Sequence, residues 1–265
     1  QGDELDAGDI AIATAQLVPD TIDDREKADF LAQLQRRGET AGEIVAFVRA
    51  LLERSTDPAI DFDSLPGPAI DVCGTGGDGL DLFNVSTTIM FILAAGGAAV
   101  VKHGNRSVTS RCGSADVLEA LGAPFDLPPA HLRECVERLG LCFIFARQYH
   151  PAYRVIAEVR KRLARQNIRT VFSLLGPLLN PTRPARQLIG VFSARLTSVF
   201  ADVLRRLGRE RVWVVHGLTE TGEGMDDIST SGATILAEIL HGKVVSGVIA
   251  SRRLNIPPGA LEDLR

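Results

Sequence analysis

Apolar residues recur at helical spacing over the first sixty positions and then give way to short β-branched runs. Ile10-Ala-Ile-Ala-Thr-Ala-Gln-Leu17 follows Asp6-Ala-Gly-Asp9 and stops before Pro19, which predicts a first helix. Thr21-Ile-Asp-Asp24 opens a second, with Ala28, Leu31, Ala32 and Leu34 on one face and Gly38 as its stop. Thr40-Ala-Gly-Glu43 is a capping box, and Ile44, Phe47, Val48, Leu51 and Leu52 line the helix behind it. Pro58 to Pro68 reads as a proline-punctuated linker.

Beyond Ala69 the runs Ala69–Cys73, Ala98–Lys102, Cys142–Phe145, Arg211–His216 and Gly242–Val248 predict strands. Helical patterns alternate with them at Ile89–Ala95, Ser114–Leu121, Pro129–Leu139, Ala152–Gln166 and Ser193–Leu207. Such alternation predicts an α/β fold with a mainly parallel central sheet. Ala152–Gln166 and Val171–Leu175 lead into Gly176-Pro-Leu-Leu-Asn-Pro-Thr-Arg-Pro184, and are expected to pack with the N-terminal helices. The expected division is a small helical domain, 1–65 joined by 151–181, and a larger α/β domain, 66–150 and 182–265. Trp213, on an apolar run, is expected in the core.

Composition narrows the classes. A chain of 265 residues with ordinary apolar and charged fractions makes two domains or one large one. A net charge of −4 argues against nucleic-acid binding through a basic surface, while leaving room for a local basic pocket. Cys73, Cys112, Cys135 and Cys142 show no metal-ligand spacing and read as reduced thiols of a cytoplasmic protein. Gln1 to Gly8 is acidic, unlike a secretory signal. The longest apolar run, near Thr88 to Val101, is broken by Gly96-Gly97, so no membrane span is expected.

Three constellations carry chemistry. Asp71-Val-Cys-Gly-Thr-Gly-Gly-Asp-Gly79 follows the first predicted strand and precedes Asn84-Val-Ser-Thr87 and a helix. Its four glycines admit positive φ, and a helix N-terminus behind them favours anions, which suits phosphate. By itself such a turn is equally a plain tight turn; it is neither GxGxxG nor a Walker loop. Lys102-His-Gly-Asn-Arg106, then Ser107 to Ser114, falls at the end of the second strand, the edge where open sheets bind ligands. Its cations, amide and hydroxyls can donate to phosphate oxygens, though a solvated loop would look similar. Gly222-Glu-Gly-Met-Asp-Asp-Ile-Ser229 places Asp226 and Asp227 side by side after a buried run, fit for Mg²⁺, or else for capping a helix. Cys112 has no His–Asp partner pattern and is read as a loop residue rather than a nucleophile.

Taken in order, Asp71-x-x-Gly-Thr-Gly-Gly-Asp78, Asn84-Val-Ser-Thr87, Lys102-His-Gly-Asn-Arg106, Gly113-Ser-Ala-Asp-Val-Leu-Glu-Ala-Leu-Gly122, His150-Pro-Ala152, Gly176-Pro-Leu-Leu-Asn-Pro181 and Met225-Asp-Asp-Ile-Ser229 resemble the anthranilate phosphoribosyltransferase family. The resemblance implies transfer of the phosphoribosyl group of phosphoribosyl pyrophosphate (PRPP) to the amino group of anthranilate, with release of pyrophosphate, in tryptophan biosynthesis. It implies PRPP contacts at Gly74, Gly77, Asp78, Asn84, Ser86, Thr87, Lys102, His103, Gly104, Asn105, Arg106, Ser110 and Ser114. It implies anthranilate contacts at Gly74, Asn105 and Arg160, and metal ligands Ser86, Asp226 and Asp227 for two Mg²⁺ bound with PRPP. No general base is implied. The expected assembly is a homodimer through the helical domain, with no nucleic-acid or membrane partner.

The pyrimidine nucleoside phosphorylases share part of these motifs and are the alternative enzyme reading. A non-catalytic homologue that binds nucleic acid or another phosphate-rich ligand is the alternative from another class. Leu82 stands where the family has a threonine, Asp227 where it has glutamate, and Ser173 where asparagine is common. Arg165-Gln-Asn167 resembles a small insertion. The resemblance also implies a family sequence that starts before Gln1 and continues past Arg265 to complete the α/β domain.

Overall fold

A computed structural model describes residues 3–19, 22–107 and 112–264, with Leu254 in backbone only. Three helices come first: α1 (Ala7–Leu17), α2 (Asp24–Arg37) and α3 (Ala41–Leu52). Both ends of the capping-box logic are visible. Thr40 Oγ1 accepts the Glu43 N–H, and Glu43 returns a carboxylate to the Thr40 N–H. Glu43 also accepts from the Leu5 N–H and pairs with Arg37, so one buried carboxylate ties α1 and α2 to the start of α3. Gly38, at φ 86°, ends α2 as anticipated.

The sheet follows. β1 (Ala69–Gly74), α4 (Val85–Ala95), β2 (Ala99–Gly104), α5 (Ser114–Ala120), α6 (Pro129–Leu139) and β3 (Leu141–Phe145) build one half. After the short α7 (Ala146–Tyr149), α8 (Pro151–Val155), α9 (Ala157–Ala164) and α10 (Phe172–Leu175), the chain returns with β4 (Arg186–Gly190) on the other side of β1. Then come α11 (Arg195–Arg206), β5 (Arg211–Leu218), the two-residue β6 (Gly224–Met225), β7 (Ala233–Leu240) and β8 (Lys243–Ala250). The order is β3-β2-β1-β4-β5-β7-β8, with β6 on β5. The first five strands are parallel; β6, β7 and β8 run antiparallel to their neighbours. The sheet is therefore mixed, with a parallel majority, and the α/β expectation holds. Strand order reverses between β1 and β4, and the crevice beyond their carboxyl ends is where such sheets take ligands.

The pleat decides which core each residue enters, because neighbours along a strand face opposite sides. Ala99, Val101, Cys142 and Ile144 pack under α6 with Leu132 and Val136. Val100 and Phe143, on the alternate positions, pack with Met90 and Leu118 of α4 and α5. The largest cluster joins the N-terminal helices to the far half of the sheet: Leu31, Phe47, Leu163, Phe200, Val214 and Ile239 belong to one continuous core. Burying each large apolar side chain contributes about 2–3 kcal/mol.

Several expectations change. The helix expected over Ala152–Gln166 is two helices, interrupted at Ile156 (φ −81°, ψ −1°), which buries its side chain in the main core. α4 begins at Val85, not Ile89, so Ser86 and Thr87 form its first turn. β4 and β7 were not anticipated. Trp213 is 40 % exposed rather than in the core: Val212 and Val214 take the buried face of β5 and leave the indole on the other. Among the described residues no helix is long and apolar enough to cross a membrane.

Candidate active site

A cleft of about 640 Å³ opens beyond the carboxyl ends of β1, β2 and β4. The glycine loop forms its floor. Gly76, Gly77 and Gly79 sit at φ 68°, 80° and 81°, a region that costs side-chain-bearing residues strain. Two glycines are required for a different reason, close approach. A Cβ on Gly74 would collide with the Asp226 carboxylate, and one on Gly190 with the Asp226 backbone carbonyl. These two residues face each other across β1 and β4, so the Asp226–Asp227 segment lies directly over the paired strand ends. Asp226 Oδ2 accepts the Gly76 N–H at 2.6 Å, which fastens the acidic pair to the glycine loop.

Burial pushes the Asp226 carboxyl up to about 6, and the charge of Asp78 adds to the effect. Asp227 is likewise raised well above its ordinary value by burial and by the charges of Asp226 and Asp78, against the pull of Lys102. Crowded, buried carboxylates of this kind lack positive charge, and their hard oxygens suit Mg²⁺. Among the described residues no three His, Cys, Asp or Glu side chains close into a metal cage.

Lys102, 1 % exposed, sends its Nζ to the Val72 carbonyl at 2.6 Å and to Ser86 Oγ at 3.1 Å. The ammonium therefore sits below the first turn of α4, whose dipole also favours anions. Asn84 caps that turn by position, and its Nδ2 donates to the Cys112 carbonyl at 3.3 Å. Beneath them Asp71 is buried in the sheet, accepting the His103 N–H at 3.1 Å and the Gln187 amide at 3.4 Å. Gln187 in turn accepts from Arg209 Nε at 3.0 Å. Burial lifts the Asp71 carboxyl above its ordinary value while Lys102 opposes the shift.

His103, Tyr153 and Phe172 form the other wall, with His150 buried behind it. The rings of His103, His150, Tyr153 and Phe172 follow one another edge to face, with centroids 5.3, 5.8 and 5.8 Å apart. The Arg160 guanidinium lies 5.2 Å from the Tyr153 ring and 5.9 Å from Phe172. Arg160 has no ion-pair partner among the described residues, and burial lowers its pKa. An aromatic pocket with one uncompensated guanidinium suits a flat aromatic carboxylate. His103 Nδ1 meets the Gly176 carbonyl at 3.1 Å, which assigns the ring proton to Nδ1. Its Nε2 is buried with no hydrogen-bond partner among the described residues. Burial pushes His103 down to about 3, helped by His150 and Lys102, and His150 down to about 4. Cys73 also lines the cleft, but burial raises its thiol to about 12, which leaves it inert as a nucleophile.

Of the residues singled out in the sequence, Gly74, Gly77, Asp78, Asn84, Ser86, Lys102, His103, Gly104, Asn105, Arg106, Ser114, Arg160, Asp226 and Asp227 line this one cleft. Thr87 does not: it is 1 % exposed, turned inward on α4. Ser110 lies outside the described residues. Arg106 lines the cleft but sends its guanidinium to Asp116 at 2.7 Å and Glu119 at 2.6 Å, over the Phe125 ring. Leu82 lines the cleft while packing with Leu80 and Met225. Tyr153, Phe172, Arg169 and Phe192 escaped the sequence reading. Tyr153 was accessible from it, seven residues before Arg160 and so two helical turns away on the same face.

Residues 66–265 match the glycosyl transferase family, a/b domain. The anthranilate phosphoribosyltransferase of Chlorobaculum parvum is 39% identical over 263 residues, 99% of this chain and 73% of that protein. The one from Alkaliphilus metalliredigens is 43% identical over 243 residues, 92% of this chain and 68% of that protein. Among solved structures, anthranilate phosphoribosyltransferase from Thermus thermophilus superposes with a TM-score of 0.87 at 38% identity, covering 99% of this chain and 75% of that one. The Saccharomyces cerevisiae enzyme, solved in complex with PRPP and Mg, shares the fold at 24% identity, with a TM-score of 0.83 over 97% of this chain and 70% of that one.

Proposed function

The chain belongs to the anthranilate phosphoribosyltransferase family, and from that premise we propose that its cleft transfers the phosphoribosyl group of PRPP to the amino group of anthranilate, releasing pyrophosphate. The observation that carries this reading is the Asp226 carboxylate bonded to the Gly76 N–H. That contact unites the phosphate-type loop with the acidic pair, in one cleft with an aromatic pocket and an unpaired guanidinium.

The diphosphate lies along the glycine loop and the first turn of α4, with Lys102 beneath. As C1 loses its oxygen, negative charge grows on the pyrophosphate, and donors fixed beforehand lower that barrier more than they lower the ground state. Asp226, Asp227 and Ser86 are the residues that would hold Mg²⁺, two ions in this reading, with Asp78 adjacent. Bound there, Mg²⁺ supplies positive charge to the leaving pyrophosphate. Arg160 pairs with the anthranilate carboxylate while Tyr153 and Phe172 hold the ring, so that the amine faces C1. The amine is already neutral at pH 7, and this orientation supplies the attack without an assigned general base. Gly74 and Asn105 complete the anthranilate side. Gly77, Asn84, His103, Gly104, Arg106, Ser110 and Ser114 complete the PRPP side, Arg106 by exchanging Asp116 and Glu119 for phosphate. We place the reaction in cytoplasmic tryptophan biosynthesis, in a homodimer formed through a helical domain of 1–65 and 151–181, with the cleft closing on substrate.

Loss of anthranilate fluorescence on adding PRPP and Mg²⁺ tests the reading, with Asp226→Ala as control. Depletion in wild type that falls by about a hundredfold in the variant is expected. Equal rates in both would remove the acidic pair from the mechanism, and no depletion in wild type would overturn the activity.

A further inference from the structure

Arg169 lies in the connection between α9 and α10, nine residues past Arg160. Its Nη2 donates to the Gly77 carbonyl at 2.7 Å. Its guanidinium stacks on Phe192, with Cζ 4.4 Å from the ring centroid. The bed beneath it is tied to the same loop. The Phe192 N–H donates to Thr75 Oγ1 at 3.0 Å, and the Thr75 N–H donates to the Gly190 carbonyl at 3.0 Å. Arg169 makes no ion pair with a carboxylate among the described residues.

The contact falls on a sensitive bond. In a trans peptide the C=O of one residue and the N–H of the next point in opposite directions. Holding the Gly77 carbonyl on the guanidinium therefore fixes the Asp78 N–H on the far side of the peptide plane. A flip of that plane rotates ψ of Gly77 (φ 80°), which has no side chain to oppose it, and φ of Asp78, which does, so the Arg169 contact adds to the restraint that Asp78 alone supplies. A flip would turn a carbonyl oxygen toward a bound anion in place of an N–H donor.

We propose that Arg169 is a positioning residue: it straps the α9–α10 connection to the glycine loop, holds the Gly77–Asp78 peptide in the anion-binding orientation, and thereby couples diphosphate binding to the segment that carries Arg160. The inference rests on the phosphoribosyl-transfer reading of the cleft for its ligand. Arg169 acts on the loop, and Arg160 on the aromatic acid.

The test uses the full chain and two readouts. Calorimetric titration with PRPP and Mg²⁺ gives Kd, and fluorescence kinetics give KM for PRPP and kcat. Arg169→Ala is expected to raise both Kd and KM for PRPP about tenfold, the loss of one charge-assisted hydrogen bond, with kcat within about twofold of wild type. Arg169→Lys keeps a donor but loses the planar stack and falls between the two. Phe192→Leu, which removes the ring under the guanidinium but keeps an apolar side chain against the main core, raises Kd about threefold. The urea midpoint of both Arg169 variants stays at the wild-type value, because Arg169 is exposed. A Kd for Arg169→Ala within twofold of wild type overturns the inference. So does a rise in Kd matched by a lower urea midpoint, since that is plain destabilisation. If wild type binds PRPP in this graded, Arg169-dependent way yet consumes no anthranilate, the strap stands and the assigned reaction falls.

Discussion

Acid should unfold this protein through two imidazoles. His103 and His150 are 2 % exposed, stacked edge to face, and held neutral: burial sets their pKa values near 3 and near 4 in the fold. In the unfolded chain both return to about 6.5. A base whose folded pKa is depressed contributes its full stability above the unfolded pKa and loses it as pH falls, since only the unfolded state takes up the proton. Between pH 7 and pH 5 each ring then removes about 2 kcal/mol, and the pair about 4 kcal/mol. Buried carboxylates such as Asp71 and Asp227 act in the opposite sense, so the wild-type curve alone does not isolate the rings. A difference measurement does. Urea unfolding of wild type, His150→Gln and His103→Gln/His150→Gln at pH 7, 6 and 5 gives the stability gap at each pH. The gap should shift in favour of the single variant by about 2 kcal/mol, and of the double variant by about 4 kcal/mol, on going to pH 5. A gap constant to within about 0.5 kcal/mol would show that the rings ionise in the fold as they do outside it, and the burial argument would fail.

Other predictions follow from the same geometry. Asp226→Asn should raise the stability of the metal-free protein at pH 8 by about 2–3 kcal/mol while abolishing turnover. The raised carboxyl is favourable only below its folded pKa of about 6 and becomes a penalty as pH rises through it; an unchanged urea midpoint at pH 8 would contradict this. Gly190→Ala forces a methyl into the Asp226 carbonyl and should cost about 1–3 kcal/mol together with most of the activity; wild-type kcat in a folded variant would show that the acidic segment tolerates displacement. Glu43→Ala removes a fully buried carboxylate that serves the Leu5 and Thr40 N–H groups and Arg37. It should cost about 3 kcal/mol in urea unfolding, and a loss below about 1 kcal/mol would refute the cap's importance.

What the sequence disclosed depended on whether the relevant residues are neighbours in the chain. The glycine loop, Lys102-His103 and Asp226-Asp227 each occupy consecutive positions, so their chemistry is visible before any folding is considered. The capping box of α3 is equally local. The aromatic side of the cleft is not: Phe172, beside Arg160, arrives after a turn at Asn167 (φ 58°), and Phe192, beneath Arg169, comes from beyond β4. β4 escaped notice because Arg186-Gln-Leu-Ile-Gly190 is short and begins polar; β7 because Ala, Leu and Glu dominate a run that only its partners β5 and β8 hold extended. Trp213 misled because hydropathy does not say which face of a strand is covered. Arg106 reads as a phosphate ligand in sequence, yet α5 sets Asp116 and Glu119 one turn apart within its reach.

The continuous core has a consequence for how the protein is made. Arg49 on α3 donates to the Arg206 carbonyl at the end of α11, 157 residues later, and the apolar faces of the two helices meet beside that contact. At a ribosome adding roughly 5–20 residues per second, the greasy side of the first helices waits roughly 8–30 s for its cover to emerge. During that interval the nascent chain offers a ready target for chaperones or for its own sisters on the same message. Its yield in the cell will follow the speed of translation as well as the stability of the finished fold.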